Sequence, residues 1–510
     1  MLSTLYPIGF VVSLLGLILW FYFEEDRKMS RLMSMAFLGG FMVYLFSLAF
    51  SEGETAYKLL ILFRDLMVLA GVTTIFSFFK KKKIIFFTLL ALIFGILQYK
   101  YLNVLQQTFP QKVEASNISL DKNGELLVEI KEAHQMSELQ AIADEYDLSF
   151  EKAFNPLLVD QTDLDDYIIV NIPEKAMHQF TEIENALQTS NLIDWIEDNE
   201  MLTIDPMETT PLKRARRGAK NFGLNDPGVI ELWGFAEMNV GELYKVLNKV
   251  KPKKKASIFI LDTGVDANHE DIKANYKSIK KSYDKDTRGH GTHCAGIAAA
   301  VSNNKKGVAS FSKNNDYVEV TSITVLGSFG GGSQAGIIKG MIEAADKGAD
   351  VISMSLGGRS NDSRQRAYQK AVEYANKAGA IVVVAAGNSN ANAKLFAPAC
   401  APGVISVSAI DTSLNRASFS NYITDLNMGI AAPGVSIYST IPDNKYAEFN
   451  GTSMATPYVA GLLGLMKSIR PSLTTKEAYA ILNETGKQTG NTKETGPFIQ
   501  PAACIKKLID

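Results

Sequence analysis

Four polar side chains in the second half of the chain are of the types that acyl transfer needs. Ser453 stands in Gly451-Thr452-Ser453-Met454-Ala455-Thr456-Pro457, where a small polar turn runs into an apolar helix. That puts a hydroxyl at a helix N-terminus, where unpaired N–H groups and the dipole favour developing negative charge. His290 stands in Gly289-His290-Gly291-Thr292-His293-Cys294-Ala295-Gly296, at the head of a second small-residue helix. Asp262 closes the apolar run Ile258-Phe259-Ile260-Leu261, and Asn388 follows Ile381-Val382-Val383-Val384-Ala385-Ala386-Gly387. Singly, each reads as a cap or turn residue. Together they divide the work of one reaction. A serine hydroxyl needs a base at neutral pH, imidazole has a suitable pKa, and a buried carboxylate fixes its tautomer. An amide beside the serine N–H can then hold a tetrahedral oxyanion.

A metal site built on Asp262, His290 and His293 is the competing use of these residues. It lacks the third histidine or the HExxH helix of a hydrolytic zinc centre, so no metal is expected there. Fifty-two basic against 54 acidic residues give no electrostatic footprint for nucleic acid. The three cysteines, Cys294, Cys400 and Cys504, allow one bridge at most.

The elements that must position these groups follow from hydrophobic pattern. Apolar runs at 257–261, 319–325, 350–354, 380–386 and 404–409 read as buried strands. Helical spacing occupies 290–301, 334–347, 363–378, 453–469 and 474–484. That alternation predicts an α/β domain over 221–510, with a mostly parallel sheet between two helical layers. Asp262 and Asn388 then fall at carboxyl ends of strands, where such sheets build their sites. Upstream, 125–131, 136–146, 167–172, 174–188 and 193–204 alternate strand and helix as a small α+β split-βαβ domain over 125–205. Residues 206–220, with Lys213, Arg214, Arg216 and Arg217, read as a basic linker, exposed and open to cleavage.

The four motifs resemble those of the subtilases, the subtilisin-like serine proteases: Asp-Thr-Gly-Val-Asp at 262–266, Gly-His-Gly-Thr-His-Cys-Ala-Gly at 289–296, Ala-Ala-Gly-Asn at 385–388 and Gly-Thr-Ser-Met-Ala-Thr-Pro at 451–457. The resemblance implies Asp262, His290 and Ser453 as the catalytic triad and Asn388 as the oxyanion donor. It also implies a substrate cleft lined by Ser355, Leu356, Gly357, Gly358, Ala385, Ala386 and Gly387, taking protein or peptide substrates. Residues 125–205 are similar to the family's inhibitory propeptide, which implies a zymogen. Catalysis in the family requires no cofactor. A structural calcium with Asp271 among its ligands is implied too, but the 302–309 segment looks shorter than the family's calcium loop and carries Lys305 and Lys306.

Residues 1–102 contain four apolar stretches, 5–23, 32–50, 59–79 and 84–101, each near the ~20 residues that cross a bilayer. Basic residues lie at Arg27, Lys28, Arg31 and Lys80 to Lys83, whereas the 51–56 loop has Glu52 and Glu54. This pattern puts loops one and three in the cytoplasm and everything after residue 102, starting with a connector at 103–124, on the extracytoplasmic side. Arg64 and Asp65 are expected to pair inside the helical bundle. The expected protein is therefore a membrane-anchored serine endopeptidase. The alternative is a silent subtilase fold kept as a binding or sensor module.

Overall fold

The computed structural model describes residues 2–49, 55–96, 119–132, 134–204, 221–360 and 365–510. The basic linker, most of the 103–124 connector and residues 50–54 lie outside the described residues. The chain divides into two compact units, Met1–Ile118 and Ser119–Asp510.

The first unit is helical, with Leu2–Tyr22, Arg27–Ala49, Thr55–Phe79 and Lys83–Ile96. Two stretches, Arg27–Ala49 and Leu62–Phe79, are long and apolar enough to cross a membrane. Gly9, Gly16 and Gly40 let the first two helices approach so closely that an added methyl would strike the facing backbone. Asp65 is fully buried. Its carboxylate accepts from Arg64 Nε at 2.9 Å and from the Tyr44 hydroxyl at 3.3 Å. The expected pairing is present, and Tyr44 adds a partner that sequence did not suggest.

In the second unit, a four-stranded antiparallel sheet is ordered Ser149–Lys152, Tyr167–Asn171, Leu126–Ile130, Ile193–Asp198. Helices Gln140–Tyr146 and Phe180–Thr189 pack on it around Leu126, Val128, Ile168, Val170, Ile183 and Leu187. The predicted strand at 193–204 breaks at Asn199–Glu200, and Met201–Thr203 leaves the sheet to pair elsewhere.

The larger layer is a six-stranded, wholly parallel sheet. Its order is Gly429–Pro433, Val404–Ile410, Ile381–Ala385, Val351–Met354, Ala256–Asp262, Val318–Thr324. Both faces are covered, which is why its strands are apolar throughout rather than alternating. Ile258 and Ile260 face one core with the helices Thr452–Ile469 and Thr475–Thr485, while Phe259 and Leu261 face the other with Gln334–Asp346 and Arg366–Lys377. The Gly429–Pro433 strand escaped the sequence pattern because its residues, Gly-Ile-Ala-Ala-Pro, are small and poor strand formers.

The small sheet rests on the second of these cores, with Leu127, Phe154, Tyr167 and Ile169 packed into it. Its edge also caps both helices there. Asn199 Oδ1 accepts from Ala335 N at 2.9 Å, and Glu197 Oε1 from Ala367 N at 3.0 Å. Lys370 Nζ reaches Glu129 at 2.6 Å and Asp163 at 2.9 Å. Burial pushes the Glu197 carboxyl up to about 7, against the N–H donors that favour its charge.

Candidate active site

Chain order along the sheet reverses between Ala256–Asp262 and Val351–Met354, the switch point at whose carboxyl ends open α/β sheets form a crevice. Asp262, Ser355 and Asn388 come from, or directly after, the three neighbouring strands at that point. The His290–Ala299 and Thr452–Ile469 helices start beside them.

Asp262 and His290 are buried, and His290 Nδ1 lies 2.8 Å from Asp262 Oδ1 and 2.9 Å from Oδ2. Thr263 N also donates to Asp262 Oδ1, at 2.7 Å. Burial works against a charged imidazole, but the Asp262 carboxylate, with Asp286 behind it, outweighs that and holds His290 above its ordinary value. Asp286 is the residue sequence reasoning missed here. Its oxygens accept from Thr263 Oγ1, Arg288 N, Gly289 N, Thr292 N and Thr292 Oγ1, at 2.7–3.0 Å. It thereby ties the loop after Asp262 to the first turn of the His290 helix. An acid four residues before a helical histidine is a legible cap signal.

Ser453 is second in its helix, and its Oγ donates to the Ser355 carbonyl at 3.1 Å rather than to the imidazole. Pro457 explains the local build. It has no N–H, so the Ser453 carbonyl loses its helical donor. Ser355 Oγ at 2.7 Å and Cys294 Sγ at 3.5 Å take that place. Cys294 is thus committed as a buried thiol, its pKa raised by burial, and the cluster Asp262–His290–Cys294 has the chemistry of a hydrogen-bonded core rather than a metal cage.

Asn388 Oδ1 accepts from both Thr452 N and Thr452 Oγ1 at 2.8 Å, which turns its Nδ2 toward Ser453. A methyl placed on Gly451 would lie 3.5 Å from Asn388 Nδ2 and 3.5 Å from Ser453 N. Two donors converge on one small space, kept open because residue 451, at φ +151°, is glycine. Such a space can hold an oxyanion.

The remaining expected residues separate into groups. Gly387 is already bonded, its N–H to Thr452 Oγ1 at 3.2 Å and its carbonyl to Asn421 N at 2.8 Å. Ala385, Ala386, Leu356 and Ser355 are buried, while Gly357 and Gly358 are half-exposed. Gly358 faces Leu202, whose side chain fills the space a Cβ would take. His293 turns away, stacked on Phe449 with its Nε2 3.1 Å from the Ala447 carbonyl, and burial lowers it to about 3. The His290–His293 pair considered for a metal therefore does not assemble, and His269 Nε2 lies apart, 3.1 Å from the Lys445 carbonyl.

The peptide edge at 330–333 was missed. Met201, Leu202 and Thr203 pair antiparallel with Ser333, Gly332 and Gly331, and Ile204 N donates to Gly330 O at 3.0 Å. The run Gly330-Gly331-Gly332, which exposes bare backbone, was the available signal.

Around Asp271 the donors are N–H groups. Asn304 Nδ2 reaches it at 2.7 Å and Val308 N at 2.8 Å, while Asn303 N and Asn304 N turn to Asp226 at 2.8 and 2.9 Å. Calcium needs six or more oxygens directed at one point. These residues do not fit it.

Residues 253–498 match the Subtilase family. Subtilisin DY of Bacillus licheniformis is 42% identical over 240 residues, 46% of this chain and 84% of the relative. Thermitase of Thermoactinomyces vulgaris is 42% identical over 240 residues, 46% of this chain and 82% of the relative. The chain belongs to the subtilase family. It is a serine endopeptidase of the subtilisin type, and the α/β fold expected from the sequence is the one observed. Alkaline elastase YaB of Bacillus sp. (strain YaB) is 34% identical over 359 residues, 66% of this chain and 84% of the relative. That span is too long for residues 221–510, so the likeness reaches upstream of the basic linker.

Proposed function

We propose that Ser453 is the nucleophile of this endopeptidase, His290 its general base and Asp262 the carboxylate that orients His290. In this mechanism Ser453 Oγ leaves the Ser355 carbonyl by rotation about Cα–Cβ and turns to His290 Nε2. Oγ then attacks the peptide carbonyl as its proton passes to Nε2, and Asn388 Nδ2 with Ser453 N–H holds the oxyanion. His290 returns the proton to the leaving amine, and water repeats the sequence on the acyl-enzyme. The observations that carry this reading are the double contact of His290 Nδ1 with Asp262 and the two donors that converge beside Ser453.

The chain is a zymogen in this reading. Residues 125–205 are its inhibitory propeptide, and Met201–Ile204 lies as an added strand on the Gly330–Ser333 edge, where a substrate would pair. The N-terminal helices anchor the protein in a membrane, with the catalytic domain outside the cytoplasm, as the basic loops suggest. The inhibitory docking and the upstream reach of the elastase likeness support the propeptide assignment. Catalysis needs no cofactor, and calcium has no place at Asp271.

The test compares the native chain with Ser453→Ala in membranes. A fragment the size of residues 221–510 from the native chain alone supports a self-processing zymogen. Equal cutting of both assigns processing to another protease, and an intact native chain that also resists serine-directed labelling returns the reading to a silent scaffold.

A further inference from the structure

Arg288 precedes His290 by two residues, and its side chain reaches across to the edge on which Met201–Ile204 lies. A methyl on Gly330 would sit 2.9 Å from Ile204 Cγ1, 3.0 Å from Arg288 Nε and 3.1 Å from Arg288 Cζ. The guanidinium and the Ile204 side chain thus flank the same point of the edge. Arg288 Nε is buried there and has no hydrogen-bond partner among the described residues. The two nearby carboxylates are not available to it. Asp262 is held by His290 and Thr263, and Asp286 by Thr263, Gly289, Thr292 and the Arg288 backbone. The cation also lies close enough to His290 to oppose its protonation.

We infer that Arg288 is a specificity-determining residue, and that the subsite filled here by Ile204 favours an acidic side chain of the substrate. The inference rests on the proposed use of the Gly330–Ser333 edge as the substrate channel. A glutamate or aspartate entering where Ile204 lies brings a carboxylate to the planar guanidinium, which binds that group through its N–H fork. Ile204 covers the spot but leaves Nε unmet, so the chain's own segment is a weaker occupant than an acidic substrate. That suits a segment that has to leave the cleft. A lysine in the same place meets a like charge and is rejected.

The experiment is a positional peptide library cleaved by the full chain, read as relative kcat/KM, for the native protein, Arg288→Gln and Arg288→Lys. A charge-assisted hydrogen bond predicts a preference for Glu over Gln of about tenfold at one position on the acyl side of the cut. Arg288→Gln removes it and Arg288→Lys keeps part. Labelling of Ser453 by a serine-directed phosphonate is measured on the same samples. Labelled chains that cut the library with no acidic preference, that keep the preference in Arg288→Gln, or that cut no peptide overturn the inference and leave the nucleophile standing. Chains that neither label at Ser453 nor cut peptides overturn the proposed function and the inference with it.

Discussion

Two groups of polar atoms meet at the crevice, and they differ in what they are bonded to. Asp262 and Asp286 are saturated by donors from their own fold: imidazole, backbone N–H and threonine hydroxyls. Ser453 Oγ and Asn388 Nδ2 are not. The hydroxyl rests on a backbone carbonyl, and the amide faces a space that glycine keeps open. In the proposed mechanism the base must be aimed before the reaction and must not move, so its aim is built into the chain. The proposed nucleophile and oxyanion donors would form their bonds only as the substrate reacts, and interactions made only then are the ones that accelerate the chemical step. Catalytic hydrogen bonds are commonly loose without substrate, so the Ser453 rotamer fits this division.

Four results would break or sharpen that contrast. The largest effect is expected from the saturated side. Asp262→Asn leaves a partner of nearly the same shape but favours the wrong imidazole tautomer, and kcat should fall by about 10⁴-fold. Its pH profile moves as well. Asp262 holds His290 above the ordinary value of 6.5, and the base must be neutral, so native activity rises with pH through a midpoint above 6.5, which Asp262→Asn lowers. On the waiting side, Asn388→Ala should cost about 10²–10³-fold in kcat with little change in KM, because in the proposed mechanism the amide bonds only the transition state. A rise in KM instead would place Asn388 in substrate binding.

Glu197 belongs to the waiting group too, since its Oε2 is buried without a hydrogen-bond partner among the described residues while Oε1 caps a helix. Docked, its carboxyl titrates near 7, and once released it returns to the ordinary 4.5. The docked state holds the proton more tightly, so docking is strongest below about 4.5 and weakens as pH rises to about 7. The change is on the order of a hundredfold in affinity. Hydrogen-exchange protection of Met201–Thr203 in the Ser453→Ala chain should follow that window, and Glu197→Gln should flatten it. The smallest effect is a null. Asp271 is satisfied by Asn304 and Val308, so a chelator should leave the thermal midpoint of the catalytic domain where it was. A fall of several degrees would mean that a cation is held somewhere in the fold.

Much of this was readable in the sequence, and the reason differs by part. Strands such as Ile381–Ala385 announce themselves because burial on both faces leaves no polar alternation, and Asp262 and Asn388 are fixed by where those runs stop. The small domain was legible as alternating elements, except for Ser149–Lys152, an exposed edge strand of Ser, Phe, Glu and Lys with little pattern to see. What stayed hidden depends on partners distant in sequence. The break at Asn199 exists because its amide caps a helix starting at Gln334. The peptide edge at Gly330–Ser333 appears only when Met201–Thr203 lies on it. The Ser453 rotamer depends on Ser355, ninety-eight residues away. Local propensity has no access to such pairings.

The central claim is that Ser453 acts through His290, and site-mapped labelling by a serine-directed phosphonate tests it most directly. Attachment at Ser453 is expected, faster as pH rises through a midpoint above 6.5, and lost in His290→Ala. Attachment at another serine, or undiminished labelling of Ser453 in His290→Ala, would contradict it.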